Sequence, residues 1–161
     1  MIAFISRLFA RGEPALSEAG VHDAPAIARL HDASFRRGWS DGEIERMLMD
    51  RSIVAHRATA GRSLEGFILS RMAADEAEIL SVAVSTARRG RGLARALLHL
   101  HLRRLAGLGV KSVFLEVDED NEPARRLYQR AGFREVGRRP GYYPKDAGQA
   151  ATALVLRRDL V

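Results

Sequence analysis

The residues best suited to chemistry lie where an apolar run breaks. Val82-Ala83-Val84 leads into Ser85-Thr86-Ala87-Arg88-Arg89-Gly90-Arg91-Gly92, and Leu93-Ala94-Arg95-Ala96-Leu97-Leu98 follows with helical spacing. The first turn of a helix offers free backbone N–H groups and the positive end of the helix dipole, which together bind phosphate. Gly90 and Gly92 let the main chain approach an anion closely, and Arg88, Arg89, Arg91 and Arg95 supply charge. No Gly-Lys-Ser/Thr ending follows, so this is not a Walker loop. Nor is it Gly-x-Gly-x-x-Gly, because Arg95 stands where the third glycine would be. On the residues alone, a phosphate cradle and a solvated basic turn are equally good readings.

A second candidate is Glu116, set inside the apolar run Val113-Phe114-Leu115-Glu116-Val117. A carboxylate there is costly unless it has a task or a partner. Either a general base or a salt bridge to one of the many arginines satisfies that condition. Asp118, Glu119, Asp120 and Glu122 extend the acidic run, but the central glycine of a calcium loop is missing. The run reads as a solvated loop able to attract a basic peptide. His22, His31, His56, His99 and His101 lack metal-ligand spacing, and each is expected at the surface or partly packed. No metal site is expected. Trp39 suits core packing, while Tyr142-Tyr143-Pro144 suits either packing or a loop facing a substrate.

The elements that must position these residues follow from caps and periodicity. Residues 1–13 form an N-terminal extension, with a short helix from Phe4 to Phe9 broken near Pro14, and residues 14–161 form one domain. Asp23 is expected to cap a helix through Ile27, Leu30 and Ser34. Ser40 caps a second, and Glu43 completes a Ser-x-x-Glu capping box. Ile53 to Ala58 reads as a strand. Leu64 to Arg71 and Ala77 to Val84 read as a hairpin around Ala74-Asp75-Glu76. A helix from Gly92 to Leu108, a strand from Lys111 to Val117, and a helix capped by Asn121 come next. Phe133 to Gly137 and Thr152 to Arg157 supply the last strands. The sum is an α+β domain with a mixed sheet of six or seven strands.

Composition narrows the classes. The chain has 161 residues, 47% hydrophobic and 29% charged, enough for one ordinary globular domain. Zero cysteines exclude disulfides, thiolate metal sites and a cysteine nucleophile. The apolar start is short and interrupted by Arg7, which fits neither a signal peptide nor a membrane span, so a cytoplasmic location is expected. Net charge is +6, and 24 of the 26 basic residues are arginine. Such a balance suits nucleic acid, a ribonucleoprotein or a phosphate-rich cofactor. No aromatics are interleaved with the arginines, which argues against a single-strand RNA binder.

The spacing Arg89-Gly90-Arg91-Gly92-Leu93-Ala94 resembles Arg/Gln-x-x-Gly-x-Gly/Ala, the pyrophosphate loop of the GNAT superfamily of acyl-CoA N-acetyltransferases. Ile79-Leu80-Ser81-Val82-Ala83-Val84 resembles that family's splayed strand, and Asn121 followed by Leu127-Tyr128-Gln129-Arg130-Ala131-Gly132-Phe133 resembles its Asn…LYxxxGF segment. Ser34-Phe35, Trp39-Ser40, Leu115-Glu116-Val117 and Tyr142-Tyr143-Pro144 are similar to the RimI branch, the bacterial ribosomal-protein alanine N-acetyltransferases. The resemblance spans roughly residues 15–158. One departure is Ala150 and Ala151, where that branch carries an acidic pair before the final strand.

The resemblance implies a GNAT fold with helices on both sheet faces and splayed central strands, acetyl-CoA as cosubstrate, and a protein N-terminus as acceptor. That acceptor would be the N-terminal alanine of a small-subunit ribosomal protein. It implies Glu116 as base and Tyr128 as the acid that protonates the leaving thiolate. It places the cofactor on Val82, Ala83, Val84, Arg89, Gly90, Arg91, Gly92, Leu93, Ala94, Arg95 and Asn121, and the substrate against Trp39, Tyr142 and Tyr143. Neither a membrane nor direct nucleic-acid binding is expected. The competing readings are acetylation of a small-molecule amine, and a non-catalytic module that binds CoA or RNA.

Overall fold

The computed structural model describes residues 12–35, 37–144 and 150–160. The expected helix near the start, Phe4 to Phe9, lies outside them. Seven strands make one sheet: β1 Ala15–Glu18, β2 Ile53–Ala60, β3 Ser63–Ala73, β4 Glu76–Val84, β5 Ser112–Asp118, β6 Arg134–Pro144 and β7 Ala150–Asp159. Among the described residues four α-helices accompany them: α1 Ala24–Ser34, α2 Asp41–Met49, α3 Leu93–Gly107 and α4 Glu122–Arg130. The strand order is β1-β2-β3-β4-β5-β7-β6. Only β4 and β5 pair in parallel; every other neighbour is antiparallel. The α+β reading therefore holds, with seven strands.

Local chemistry explains most boundaries. Ser40 Oγ accepts from the Glu43 N–H at 3.2 Å, and the Glu43 carboxylate accepts from the Ser40 N–H at 2.7 Å. This is the expected capping box. Asp23 precedes α1 but does not cap it with its side chain. Instead it accepts from the Gly20 N–H and pairs with Arg57 at 2.5 Å, tying the helix start to β2. The β3–β4 turn is the two residues Ala74 and Asp75, with Ala74 at φ 54°, so Glu76 belongs to the strand.

Two clusters of buried side chains fill the two sheet faces. On one, Ile27 and Ile44 from α1 and α2 pack on Phe67, Leu69 and Ala83. On the other, Leu97, Leu98, Leu102 and Leu105 of α3 pack on Ile68, Ile79, Val113, Leu115 and Leu154, with Tyr128 and Phe133 beside them. Burial of this much aliphatic surface supplies the main stabilising term.

Three expectations need correction. β1 was not expected; it is a four-residue edge strand bonded to β2 alone. β7 begins at Ala150, so Ala150 and Ala151 stand inside the strand, paired with Pro144 and Tyr143, and not before it. The histidines are not all superficial: His31, His56 and His101 are 4%, 3% and 0% exposed. His56 Nδ1 and His101 Nδ1 lie 2.7 Å apart, and His101 Nε2 lies 2.6 Å from Ser70 Oγ. Burial lowers the pKa of all three, that of His101 to about 3, so the chain of contacts is one between neutral rings.

Candidate active site

The site starts from an interruption in the sheet. Across β3 and β4, Leu69 faces Ser81 while Ser70 faces Ile79, which leaves Leu80 as an unpaired bulge. A bulge bends and twists its strand. Parallel pairing between β4 and β5 runs from Glu76–Ser112 to Ile79–Leu115 and stops there. Both strands continue, β4 to Val84 and β5 to Asp118, so they part and leave a gap. This is the splayed pair that the sequence suggested.

Backbone polarity in the gap follows from alternation. The Ser85 N–H donates to the Glu65 carbonyl of β3 at 2.8 Å. Ser81 and Ala83 face β3 likewise, so the N–H and C=O groups of Val82 and Val84 point the other way, toward β5. Arg89 Nε confirms the direction by donating to the Val84 carbonyl at 3.2 Å. The Ala83 side chain is buried against α1 and α2.

Directly after β4 comes the turn. Gly90 has φ 74° and Gly92 φ 81°, left-handed conformations that favour glycine. A Cβ at either position would meet nothing within 4 Å, so the requirement is backbone shape and open space above it. No side chain caps the start of α3, whose first-turn N–H groups at Gly92, Leu93, Ala94 and Arg95 therefore point outward. Leu93 anchors the turn in the core, while Arg91 and Arg95 are exposed and have no ion-pair partner among the described residues. Arg88 is spent otherwise, against Glu65 at 3.9 Å. Two unpaired guanidinium groups, an uncapped helix start and open glycines fit a pyrophosphate, and the gap beside them fits an extended amide-bearing arm.

Glu116 and Tyr128 lie on opposite faces of the sheet. Val113, Leu115 and Val117 face α3, so the alternating Glu116 projects from the other face. Its Oε1 lies 3.0 Å from Arg139 Nη1, and its side chain is 18% exposed. The partner that a carboxylate in this strand requires is present. Tyr128 is in the α3–α4 cluster, 8% exposed, with its ring edge-on to Phe133 at 5.7 Å. Asn121 starts α4, and its Oδ1 accepts from the Ala124 N–H at 3.3 Å.

On the Glu116 side two depressions share Arg71. One, of about 350 Å³, is lined by Glu76, Glu78, Phe114, Glu116 and Arg139. The other, of about 430 Å³, is lined by Trp39, Glu43, Arg46, Met47 and the bulged Leu80. Trp39 is half-buried and stacks on the His31 ring at 4.2 Å, so it does both things, packing and wall. Tyr142 and Tyr143 fall at the end of β6, Tyr143 opposite Ala151; their side chains lie outside the described residues. The acidic stretch is partly spent internally: Glu119 pairs with Arg138 at 3.5 Å, and Asp118 Oδ1 accepts from the Asp120 N–H. Among the described residues no group of acids and histidines could hold a metal ion. Sequence reasoning missed Arg139, which only the sheet brings beside Glu116, and Arg71, which it brings to the same depression.

Residues 24–133 match the model of the Acetyltransferase (GNAT) family. The chain belongs to that family. It is accordingly an acyltransferase, and acetyl-CoA is the acyl donor the family uses. The chain is 32% identical over 118 residues to the [ribosomal protein bS18]-alanine N-acetyltransferase of Haemophilus influenzae, covering 73% of this chain and 80% of that one. The crystal structure of the ribosomal-protein-S18-alanine N-acetyltransferase from Escherichia coli superimposes with a TM-score of 0.85 at 26% identity, covering 91% and 94% of the two chains. Arabidopsis thaliana NAA60 in complex with acetyl-CoA shares the fold, with a TM-score of 0.80 at 22% identity over 91% and 98%.

Proposed function

We propose that this enzyme acetylates the N-terminal α-amine of a protein, preferring an N-terminal alanine, with a small-subunit ribosomal protein as natural acceptor in the cytoplasm. The observation that carries the reading is the gap between β4 and β5, with the phosphate cradle on the Tyr128 side and Glu116 on the other. Donor and acceptor can then approach from opposite faces and meet without a covalent enzyme intermediate. The named relatives support the acceptor class.

Acetyl-CoA supplies the thioester whose C–S bond breaks as the C–N bond forms. Gly90, Gly92 and the start of α3 hold its phosphates with Arg89, Arg91 and Arg95, while Val82 and Val84 hold the arm and polarise the carbonyl. An α-ammonium group has a pKa near 8, so one carboxylate suffices to make it nucleophilic. Glu116 takes that proton, directly or through water, and releases it to solvent. The second proton leaving nitrogen balances the one that Tyr128 gives to sulfur. Trp39, Tyr142 and Tyr143 border the acceptor's path, and a narrow path favours a small first side chain.

The test combines acetyl-CoA with peptides that differ in their first residue and follows thiol release. An alanine terminus should react fastest, and an N-terminally blocked copy should not react. Equal rates on spermidine or on lysine side chains would move the enzyme to the small-amine class.

A further inference from the structure

Arg139 is on β6, two strands away from Glu116 on β5, with β7 between them. The register puts Arg139 opposite Ala153, which faces Asp118, while Glu116 faces Val155, which faces Gly137. Asp118 is therefore the carboxylate in Arg139's own row, and Arg139 nevertheless reaches one row over, to Glu116 at 3.0 Å. Gly137 has no side chain to obstruct that diagonal path, and small Ala153 lies beneath it. The Arg139 side chain is itself 58% exposed.

The other charges on this face are differently placed. Arg71 and Glu78 face each other across β3 and β4, and Glu76 is at the far end of the depression. Arg157 lies over the Phe114 ring at 5.3 Å and is held by Asp159 and Ser112. Asp118 accepts from the Asp120 N–H. Among the described residues, the cation in contact with the Glu116 carboxylate is Arg139.

We propose that Arg139 is a positioning residue for acetyl transfer, fixing the Glu116 carboxylate and biasing the arriving amine toward its neutral form. The inference rests on the reading of Glu116 as the base. A lone carboxylate would hold the substrate as a tight ammonium ion pair and raise its pKa, which slows attack. A guanidinium beside it opposes that effect, because like charge disfavours the protonated amine. The guanidinium keeps its own proton throughout, and the amine proton passes to Glu116 and on to water.

The experiment measures kcat against pH at saturating acetyl-CoA and saturating hexapeptide that begins with alanine, because kcat reports ionisations within the bound complex. Removing the charge in Arg139→Gln should move the acid limb up by about 0.5–1 pH unit. The loss should then be roughly 3–10-fold near pH 6.5 and under about 2-fold near pH 9. Arg139→Lys should restore most of the profile, and KM for acetyl-CoA should stay unchanged. In a Glu116→Gln background the Arg139→Gln change should cost less than it does in the intact enzyme, because the share that acts by fixing the carboxylate is already gone. A uniform loss at all pH values, or no shift of the limb, would overturn the role of Arg139 while leaving the base in place. An undiminished rate in Glu116→Gln alone would instead remove the base assignment, and this inference with it.

Discussion

At the scale of single residues, two side chains on opposite sides of the sheet do different work. Glu116→Gln keeps shape and removes the proton acceptor, so turnover should fall on the order of 10²–10⁴-fold with CoA affinity unchanged. Tyr128→Phe should act on turnover in the same way through the thiolate, and direct binding titrations with CoA separate both from loss of affinity. Unchanged turnover in both variants would return them to plain structural residues. The buried histidines make a second residue-scale prediction. His31, His56 and His101 have folded pKa values below their ordinary value near 6.5, so the unfolded chain takes up protons that the folded core refuses. Their contribution is complete above about pH 6.5 and is lost as pH falls toward the folded values. Each fully excluded proton steepens the decline by about 1.4 kcal/mol per pH unit. Urea unfolding at intervals from pH 7.5 to 5 should show this slope, because Glu43, Asp50 and Asp159, also lowered, titrate below that window. A flat profile there would contradict the neutral pair. Nothing in the sequence marks it, since His56 and His101 are 45 positions apart and only the packing of α3 on β2 joins them.

At the scale of elements, the sharpest prediction belongs to the turn before α3. Gly92 is left-handed with open space around its Cα, so Gly92→Val should cost about 1–2 kcal/mol in backbone strain. The same change should weaken CoA binding far more than stability, as calorimetry with CoA and a thermal melt would show together. Survival of tight binding would place the pyrophosphate elsewhere. At α2, Ser40→Ala removes one half of a reciprocal cap and should cost about 1 kcal/mol in urea unfolding. These features were legible because caps and glycine turns are local: Ser40 and Glu43, Gly90 and Gly92, and Asn121 at the start of α4 all act within one turn of chain. The bulge at Leu80 was not, because it exists only in the register between two strands. β1 escaped for a similar reason: Ala15-Leu16-Ser17-Glu18 is too short and polar to signal a strand, and pairing with β2 decides it. Arg139 escaped because its partner is two strands distant.

At the scale of the whole molecule, the gap between β4 and β5 joins a cationic cradle on one side to a carboxylate-bearing face on the other. The chain as a whole carries +6, yet the two depressions hold Glu43, Asp50, Glu76, Glu78 and Glu116 beside Arg46, Arg71 and Arg139, a face less basic than the rest. Arrangement therefore matters more than total charge, for the anionic donor and the cationic acceptor alike. CoA affinity should fall as salt rises, and it should fall less steeply once Arg91 and Arg95 are replaced by glutamine. The claim that gathers these scales is acetyl transfer from acetyl-CoA to a protein N-terminus. The most direct measurement is mass spectrometry of an alanine-first, lysine-containing peptide after incubation with enzyme and acetyl-CoA, locating the added group by fragmentation. A single acetyl group is expected on the α-nitrogen and none on the lysine side chain. Acetylation of the lysine at a comparable rate, or of neither nitrogen, would contradict it.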